Sequence, residues 1–244
     1  PAPIVTLTTE QVDFGKVAIG KTESKLAIID NTGDADLQVS DVQIVGPDAV
    51  VYSYSGPTVG TVTPGNDIVF PVDFIPLSTA EYSDASLSVT HNAAGSPTLI
   101  PLTGEGAPIE IDVSATKLDF EFVDPNSTAE QILCLANTGM VPIEIIELSL
   151  PDPPFSPTSF TIIDASTGPG APLNLADFLA LLEPDPLVLD VGDSLKIVVT
   201  FDPNGVAEVL FTDQFSITTC DPNNPVIDID LCGEGTTYDT KVYV

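Results

Sequence analysis

Carboxylates are the side chains most able to do chemistry in this 244-residue sequence, because they far outnumber every other ionisable group. Asp30, Asp34 and Asp36 lie within one short polar stretch, and such a concentration of hard oxygen atoms suits calcium. The spacing departs from that of an EF-hand, because its glycine is misplaced and Asp41 stands where that motif has Glu. These three residues are therefore calcium candidates, and the alternative is an ordinary Asp- and Asn-rich turn without metal. No other cofactor is expected.

No catalytic residues can be assigned from the sequence. His91 is the only histidine, so a histidine cluster is impossible and a triad could have only this one member. Carboxylate pairs are so frequent that none stands out as a glycosidase pair. The phosphate-binding, dinucleotide-binding and zinc-protease motifs are missing. The sequence therefore predicts a protein that is not an enzyme.

Cys134, Cys220 and Cys232 are the three cysteines, and their spacing does not suggest zinc. If 215–220 and 226–232 form a hairpin, a bond between Cys220 and Cys232 is geometrically awkward. Free thiols are the simpler interpretation.

The charge balance excludes several partners. Six basic residues, all lysine, face 36 acidic ones, which gives a net charge of −30. Such a chain repels nucleic acid backbones and anionic membrane surfaces, and it has no arginine for bidentate phosphate contacts. No run of about 18 apolar residues is present, so no transmembrane segment is expected.

The sequence contains one set of motifs twice, in the same order. The matching pairs are API at 2–4 and 107–109, KLAIIDNTG at 25–33 and QILCLANTG at 131–139, DFIP at 73–76 and TFDP at 200–203, and LTGEG at 102–106 and LCGEG at 231–235. A repeat of this length indicates two copies of one domain. We predict domains at 1–106 and 107–235, followed by a C-terminal strand or tail at 236–244.

Each copy is typical of short strands separated by turn residues. Apolar and polar residues alternate, for example through 226–231, and Gly, Pro and Asn recur between the alternating segments. About seven short strands per ~100 residues are typical of an immunoglobulin-like sandwich. The antibody cysteine pair and tryptophan are missing. The predicted fold is therefore all-β, with two tandem immunoglobulin-like β-sandwich domains.

Several motifs resemble a known group of modules. VDFGKVAIG at 12–20, the NTG strand ends, the PVDFIP and VVTFDP strands and the closing L-x-GEG are similar to choice-of-anchor-D and related ASH or major-sperm-protein-like domains. Copy 2 departs from the pattern, with Phe120-Glu121-Phe122 where copy 1 has Phe14-Gly15-Lys16. The resemblance implies no catalytic motif. Bacterial and archaeal members of this group tend to be tandem modules of extracellular surface proteins, whereas eukaryotic members occur in cilia and centrosomes. We expect the extracellular surface setting, after removal of an export signal.

Copy 2 carries an insertion at about 151–191, and within it the sequence predicts a short helix over 174–183. Its apolar residues are Leu175, Phe178, Leu179 and Leu182. They either cover an open end of the sandwich or form a surface for a partner.

Asn126 begins the N-glycosylation triplet Asn126-Ser127-Thr128 in a predicted loop, and a chance match is the alternative.

The two ends of the chain suggest a structural role. Ile4, Val5 and Leu7 form a strand at one end, and Tyr238, Val242 and Val244 alternate with polar residues at the other. A strand needs a partner edge, so we expect a filament subunit joined to copies of itself by strand donation. One alternative is that each terminal strand pairs within its own chain. Another is a binding or spacer module of a larger adhesin, with other surface proteins as partners.

Overall fold

The computed structural model describes residues 1–237 and contains two compact units, Pro1–Pro108 (unit 1) and a second that starts at Ile109 (unit 2). The elements of unit 1 are β1 (Val5–Leu7), β2 (Val12–Ala18), β3 (Glu23–Asn31), β4 (Leu37–Val45), a 3₁₀ helix (Pro47–Val51), β5 (Tyr52–Tyr54), β6 (Gly60–Val62), β7 (Asp67–Phe74), β8 (Glu81–His91) and β9 (Thr98–Ala107). Those of unit 2 are β10 (Ile111–Val113), β11 (Lys117–Val123), β12 (Ala129–Asn137), β13 (Ile143–Leu148), β14 (Phe155–Asp164), β15 (Gly168–Pro169), α1 (Leu175–Leu181), β16 (Leu187–Leu189), β17 (Ser194–Phe201), β18 (Val209–Thr219) and β19 (Val226–Gly235).

Both units are sandwiches of two sheets with the same strand order. Unit 1 pairs β1-β3-β7-β5 in one sheet and β2-β9-β8-β4-β6 in the other. Unit 2 repeats this as β10-β12-β17-β14 and β11-β19-β18-β13-β16, and adds β15 beside β14. In each unit one edge strand is parallel to its neighbour, namely β2 beside β9 and β11 beside β19. The all-β, immunoglobulin-like fold predicted from the sequence is confirmed.

The cores of the two units are built around equivalent aromatic clusters. In unit 1 the rings of Phe14, Tyr52 and Tyr82 surround Phe74, with centroids 5.4, 4.9 and 5.7 Å from it. In unit 2 the cluster comprises Phe120, Phe155, Phe211 and the central Phe201, with distances of 5.6, 4.9 and 5.8 Å. The close agreement shows that the repeated motifs specify one packing arrangement twice.

The repeated GEG motif is explained by these aromatic rings. A Cβ added at Gly104 would lie 2.6 Å from the ring of Phe74, and one at Gly233 would lie 2.7 Å from the ring of Phe201. Real Cβ atoms do not approach other atoms so closely, so only glycine lets the last strand cross the ring here.

The repeated NTG motif contains a buried asparagine that holds three segments together. Asn31 donates from Nδ2 to the carbonyls of Ala35 and Val62, both at 2.8 Å. Asn137 does the same in unit 2, at 2.9 Å to the carbonyls of Val141 and Leu189. Because buried carbonyls are costly to leave without a donor, this side chain fixes the turn after β3 and β12 against β6 and β16.

The insertion of unit 2 forms β15 and the helix α1, which is shorter than the predicted 174–183. Asn174 caps the helix by accepting a hydrogen bond from the backbone N–H of Asp177 at 3.0 Å. Phe178 is 1% exposed and stacks on Phe160 of β14 with centroids 4.1 Å apart. Leu182 is also buried. The helix therefore covers its own sandwich.

Candidate functional site

Of the two alternatives for the helix residues, the structure favours a cover over the sandwich. Phe178 and Leu182 are part of the core of unit 2, and Leu175 and Leu179 are only partly exposed. Phe178 and Leu182 cannot contact a partner, because the apolar side of the helix faces β14.

The calcium candidates are not brought together. The Asp30 carboxylate accepts a hydrogen bond from the Thr8 hydroxyl, and Asp34 accepts one from the N–H of Ala2 at 2.6 Å. Asp36 is exposed and makes no side-chain bond with either. Within residues 1–237, no three His, Cys, Asp or Glu side chains converge on a common metal position. The geometry thus gives the calcium hypothesis no support.

The N-terminal assembly strand is paired within its own chain. Val5 and Leu7 lie in β1, which forms an antiparallel ladder with β3 of the same sandwich, and the Ile4 carbonyl accepts from the N–H of Thr32 at 2.9 Å. The prediction that this strand is donated to a neighbour is therefore wrong. Tyr238, Val242 and Val244 lie outside the described residues.

The remaining candidate residues have ordinary surroundings. Asn126 is exposed in the turn after β11, so its glycosylation stays a prediction. The three cysteines are free thiols, as the simpler interpretation had it. His91 is buried at the end of β8, where its Nε2 lies 2.8 Å from the Thr98 hydroxyl and burial lowers its pKa.

A groove that sequence reasoning missed lies on the outer face of β11, β19 and β18. Phe122 of β11 and Leu210 of β18 are both opposite Glu234 of β19, so the three side chains form one line across the sheet. We call this line the outer row. Its two apolar side chains, Phe122 and Leu210, are 57% and 64% exposed. Large side chains so exposed at neighbouring positions are typical of an interaction surface.

A bulge in β11 places Phe122 outward. The register shifts between Asp119 and Phe122, and Glu121 adopts a positive φ of 54°. The Asp119 carboxylate stabilises this turn by accepting the N–H of Glu121 at 3.0 Å. One extra residue in a strand reverses the face that the following side chain occupies, so Phe122 joins the outer face although it follows exposed Glu121.

Beside the outer row, three polar side chains interact with one another. Lys117 donates to the Asp119 carboxylate at 2.9 Å. This bond, together with the N–H of Glu121, lowers the pKa of Asp119 to about 2. Burial raises the pKa of the nearby Cys232 thiol, so this cysteine is a poor nucleophile. The one lysine lining the groove is thus already engaged by a carboxylate.

Unit 1 has the same groove with different chemistry. Lys16 occupies the position of Phe122, Glu105 that of Glu234 and Glu81 that of Leu210, as the strand registers show. The Lys16 ammonium lies 3.7 Å from the Glu105 carboxylate. The unit 1 row is therefore charged and internally paired, whereas the unit 2 row is mostly apolar.

The departure of copy 2 at Phe120-Glu121-Phe122 was the available signal for this site. It shows that a lysine is replaced by phenylalanine, but not which side chains from β18 and β19 stand beside it. The arrangement can bind by apolar contact and by charge, and it presents no activated nucleophile.

The described chain contains no helix long and apolar enough to cross a membrane. The HYDIN/CFA65/VesB-like Ig-like domain family matches residues 3–105. No curated protein matches this chain.

Several solved structures are similar over much of the chain. A protein of unknown function from Porphyromonas gingivalis W83 has 12% identity and a TM-score of 0.35, with 94% of this chain and 99% of that chain covered. PapD-like domain 7 of human CEP192, an ASH domain, has 16% identity and a TM-score of 0.32, with 51% of this chain and 84% of that chain covered. The secreted serine protease VesC of Vibrio cholerae has 11% identity and a TM-score of 0.36, with 82% of this chain and 47% of that chain covered. The family match and the strand order together identify an immunoglobulin-like β-sandwich protein.

Proposed function

We propose that this chain is a non-enzymatic binding and spacer segment of a larger cell-surface protein, built from two modules of the choice-of-anchor-D or ASH-like type. The observation that carries the proposal is the outer row of unit 2. Two large apolar side chains are exposed there on firmly paired strands, at positions where unit 1 has a lysine and a glutamate. Because function lies in sites carried on a shared fold, a surface that differs between the two copies is a candidate for a function that one copy has and the other lacks.

The proposed setting is extracellular, after export, and the partners are other proteins and not nucleic acids. The motif resemblance and the charge of −30 support this choice. Digestion of intact native cells with proteinase K tests it: we expect the chain to be degraded while a cytoplasmic marker survives. Survival of the chain alongside that marker would refute the surface location.

A second candidate, self-assembly into a filament, is favoured by a different surface. Leu26 of β3 and Ile132 of β12 are 56% and 49% exposed, while their chain neighbours Ala27 and Leu133 are fully buried. The two exposed residues occupy equivalent places on the outer faces of the two units, so neighbouring subunits could pack there. The C-terminal segment 236–244 could still be donated, whereas the N-terminal strand is already paired.

Electron microscopy and light scattering of the intact chain separate the two candidates. The binding and spacer proposal predicts dispersed particles of monomer mass. Fibres that disappear when Leu26→Ser and Ile132→Ser are combined would establish the filament instead. A matched control is Val50→Ser, which alters a residue 77% exposed in the 3₁₀ helix.

A further inference from the structure

We propose that the outer row of unit 2 docks a partner segment that carries a lysine or arginine flanked by apolar side chains. This inference rests on the proposed binding function and specifies the class of partner. The cation would bind the Glu234 carboxylate, and its apolar neighbours would cover Phe122 and Leu210.

The geometry of the row provides both kinds of contact at once. Phe122, Glu234 and Leu210 lie on three adjacent strands, and neighbouring strands are about 4.8 Å apart. The carboxylate is therefore flanked on each side by an exposed apolar group. A partner segment fits this order when it presents an apolar, a cationic and an apolar side chain in turn on one face, which in an extended chain are every second residue.

In unit 1 the carboxylate at this position pairs with a cation. Glu105, the equivalent of Glu234, lies 3.7 Å from the ammonium of Lys16 on the adjacent strand. In unit 2 that strand carries Phe122, while Glu234 is retained and accepts a hydrogen bond from the Thr236 hydroxyl at 3.2 Å. The acid has been kept and its lysine replaced by a phenylalanine, so a partner can supply the cation.

The surrounding charge favours a cationic partner. Glu121 and Asp230 also line the groove, and Lys117 is held by Asp119. Carboxylates of one sign in a groove attract the opposite charge and speed its association. A second copy of this chain carries a charge of −30, so the carboxylates of the groove repel it.

Docking takes place over the face of the sheet and not by addition of a strand at its edge. The bulge at Glu121 interrupts the regular edge of β11. In addition, the Asp119 carbonyl accepts a hydrogen bond from Nε2 of Gln131 at 3.1 Å. Bulges and occupied carbonyls at an edge prevent an incoming strand from pairing, so the contacts come from side chains.

The test is a fluorescence anisotropy titration of the intact chain with a labelled peptide that carries leucine, lysine and leucine at every second position, with serine between them. The key variant combines Phe122→Lys with Leu210→Glu, which installs the unit 1 residues and leaves the net charge unchanged. Both positions are exposed, so folding is retained and is checked by circular dichroism. We expect binding at least about tenfold weaker, because two apolar contacts are lost and the new lysine pairs with Glu234.

Two further measurements make the test specific. The reverse combination, Lys16→Phe with Glu81→Leu, also leaves the charge unchanged and should create a second binding site in unit 1. A peptide with serine in place of leucine and the same lysines measures attraction to the acidic chain alone, and it should bind at least about tenfold more weakly.

Equal binding of the native chain and the Phe122→Lys, Leu210→Glu variant would overturn the proposal, as would equal binding of the serine peptide. If light scattering shows native dimers that this variant loses, the row binds a second copy and the cationic-partner proposal is wrong. These outcomes are independent of the proteinase K result, which concerns only the surface location.

Discussion

The two units share a core arrangement and differ in the charge of one outer row. Their aromatic clusters agree in spacing, with the central stacked pair at 4.9 Å in both. On the outer face, by contrast, a charged row in unit 1 corresponds to a mostly apolar row in unit 2. The comparison shows that packing constrains the inner positions of these strands, whereas the outer positions are free to acquire a binding role.

The largest change in stability is expected in the insertion, whose α-helix occurs only in unit 2. Phe178→Ala removes a buried ring stacked on Phe160, and we expect a loss of about 3–5 kcal/mol in the unfolding free energy of unit 2. Unit 1 should keep its stability. Hydrogen exchange followed by mass spectrometry in rising denaturant reports the two units separately.

Leu181→Ala is the matched control, because this helix residue is 45% exposed and should change stability little. An equal loss for both substitutions would mean that the helix does not pack as described.

The buried asparagines test whether the shared core is energetically equivalent. Asn31→Ala and Asn137→Ala each remove two hydrogen bonds from Nδ2 to backbone carbonyls, at least one of them buried in each unit. Each should destabilise its own unit by about 2–4 kcal/mol. The same exchange experiment measures both, with exposed Asn126→Ala as control. A large loss in one unit and none in the other would break the equivalence.

A smaller difference inside the cores sharpens the comparison. The Tyr52 hydroxyl donates to the Tyr82 carbonyl at 3.0 Å, and burial raises the pKa of Tyr52. Phe155 occupies the equivalent position in unit 2 without a hydroxyl. Tyr52→Phe should therefore cost unit 1 about 1 kcal/mol. If Tyr52→Phe stabilised unit 1 instead, the hydrogen bond of the hydroxyl would not offset the cost of burying it, and the prediction would be wrong.

The smallest expected effect concerns Asp119 and pH. Its pKa of about 2 in the folded chain lies below the ordinary 3.8, so the ionised carboxylate stabilises the fold above that ordinary value. The contribution is lost as the pH falls from 3.8 towards 2. Because Asp119 is exposed, the effect is small. Thermal unfolding should show Asp119→Asn slightly less stable than the native chain at pH 6 and equal to it near pH 2; a constant difference would contradict this.

The repeat and the sandwich could be predicted because the repeated motifs coincide with core positions. Gly104 and Gly233 approach phenyl rings, and Asn31 and Asn137 are buried, so these residues cannot vary without loss of packing. The sequence therefore preserves them in both copies, which is what makes the repeat visible.

The outer row could not be predicted, because it depends on strand register. Phe122 and Glu234 lie far apart in the sequence and become neighbours only through the parallel pairing of β11 and β19. The bulge before Phe122 then decides the face on which it appears. A residue pattern cannot specify either feature when the strands are so distant.

The incorrect prediction for the N-terminal strand has a related cause. Alternation shows that Val5 and Leu7 form a strand but does not show which edge accepts it, and the nearest edge is that of β3. A cluster of aspartates in the sequence likewise does not show what each carboxylate binds, and Asp30 and Asp34 bind neighbouring donors of their own chain.

The central claim is that binding resides on the outer face of unit 2 and not on the equivalent face of unit 1. Amide chemical shifts of the intact, isotope-labelled chain, recorded while the leucine–lysine peptide is added, test it most directly. We expect shifts around Phe122, Leu210 and Glu234, with none around Lys16 and Glu81. Equal shifts on both faces, or shifts spread over acidic surfaces throughout the chain, would contradict the claim.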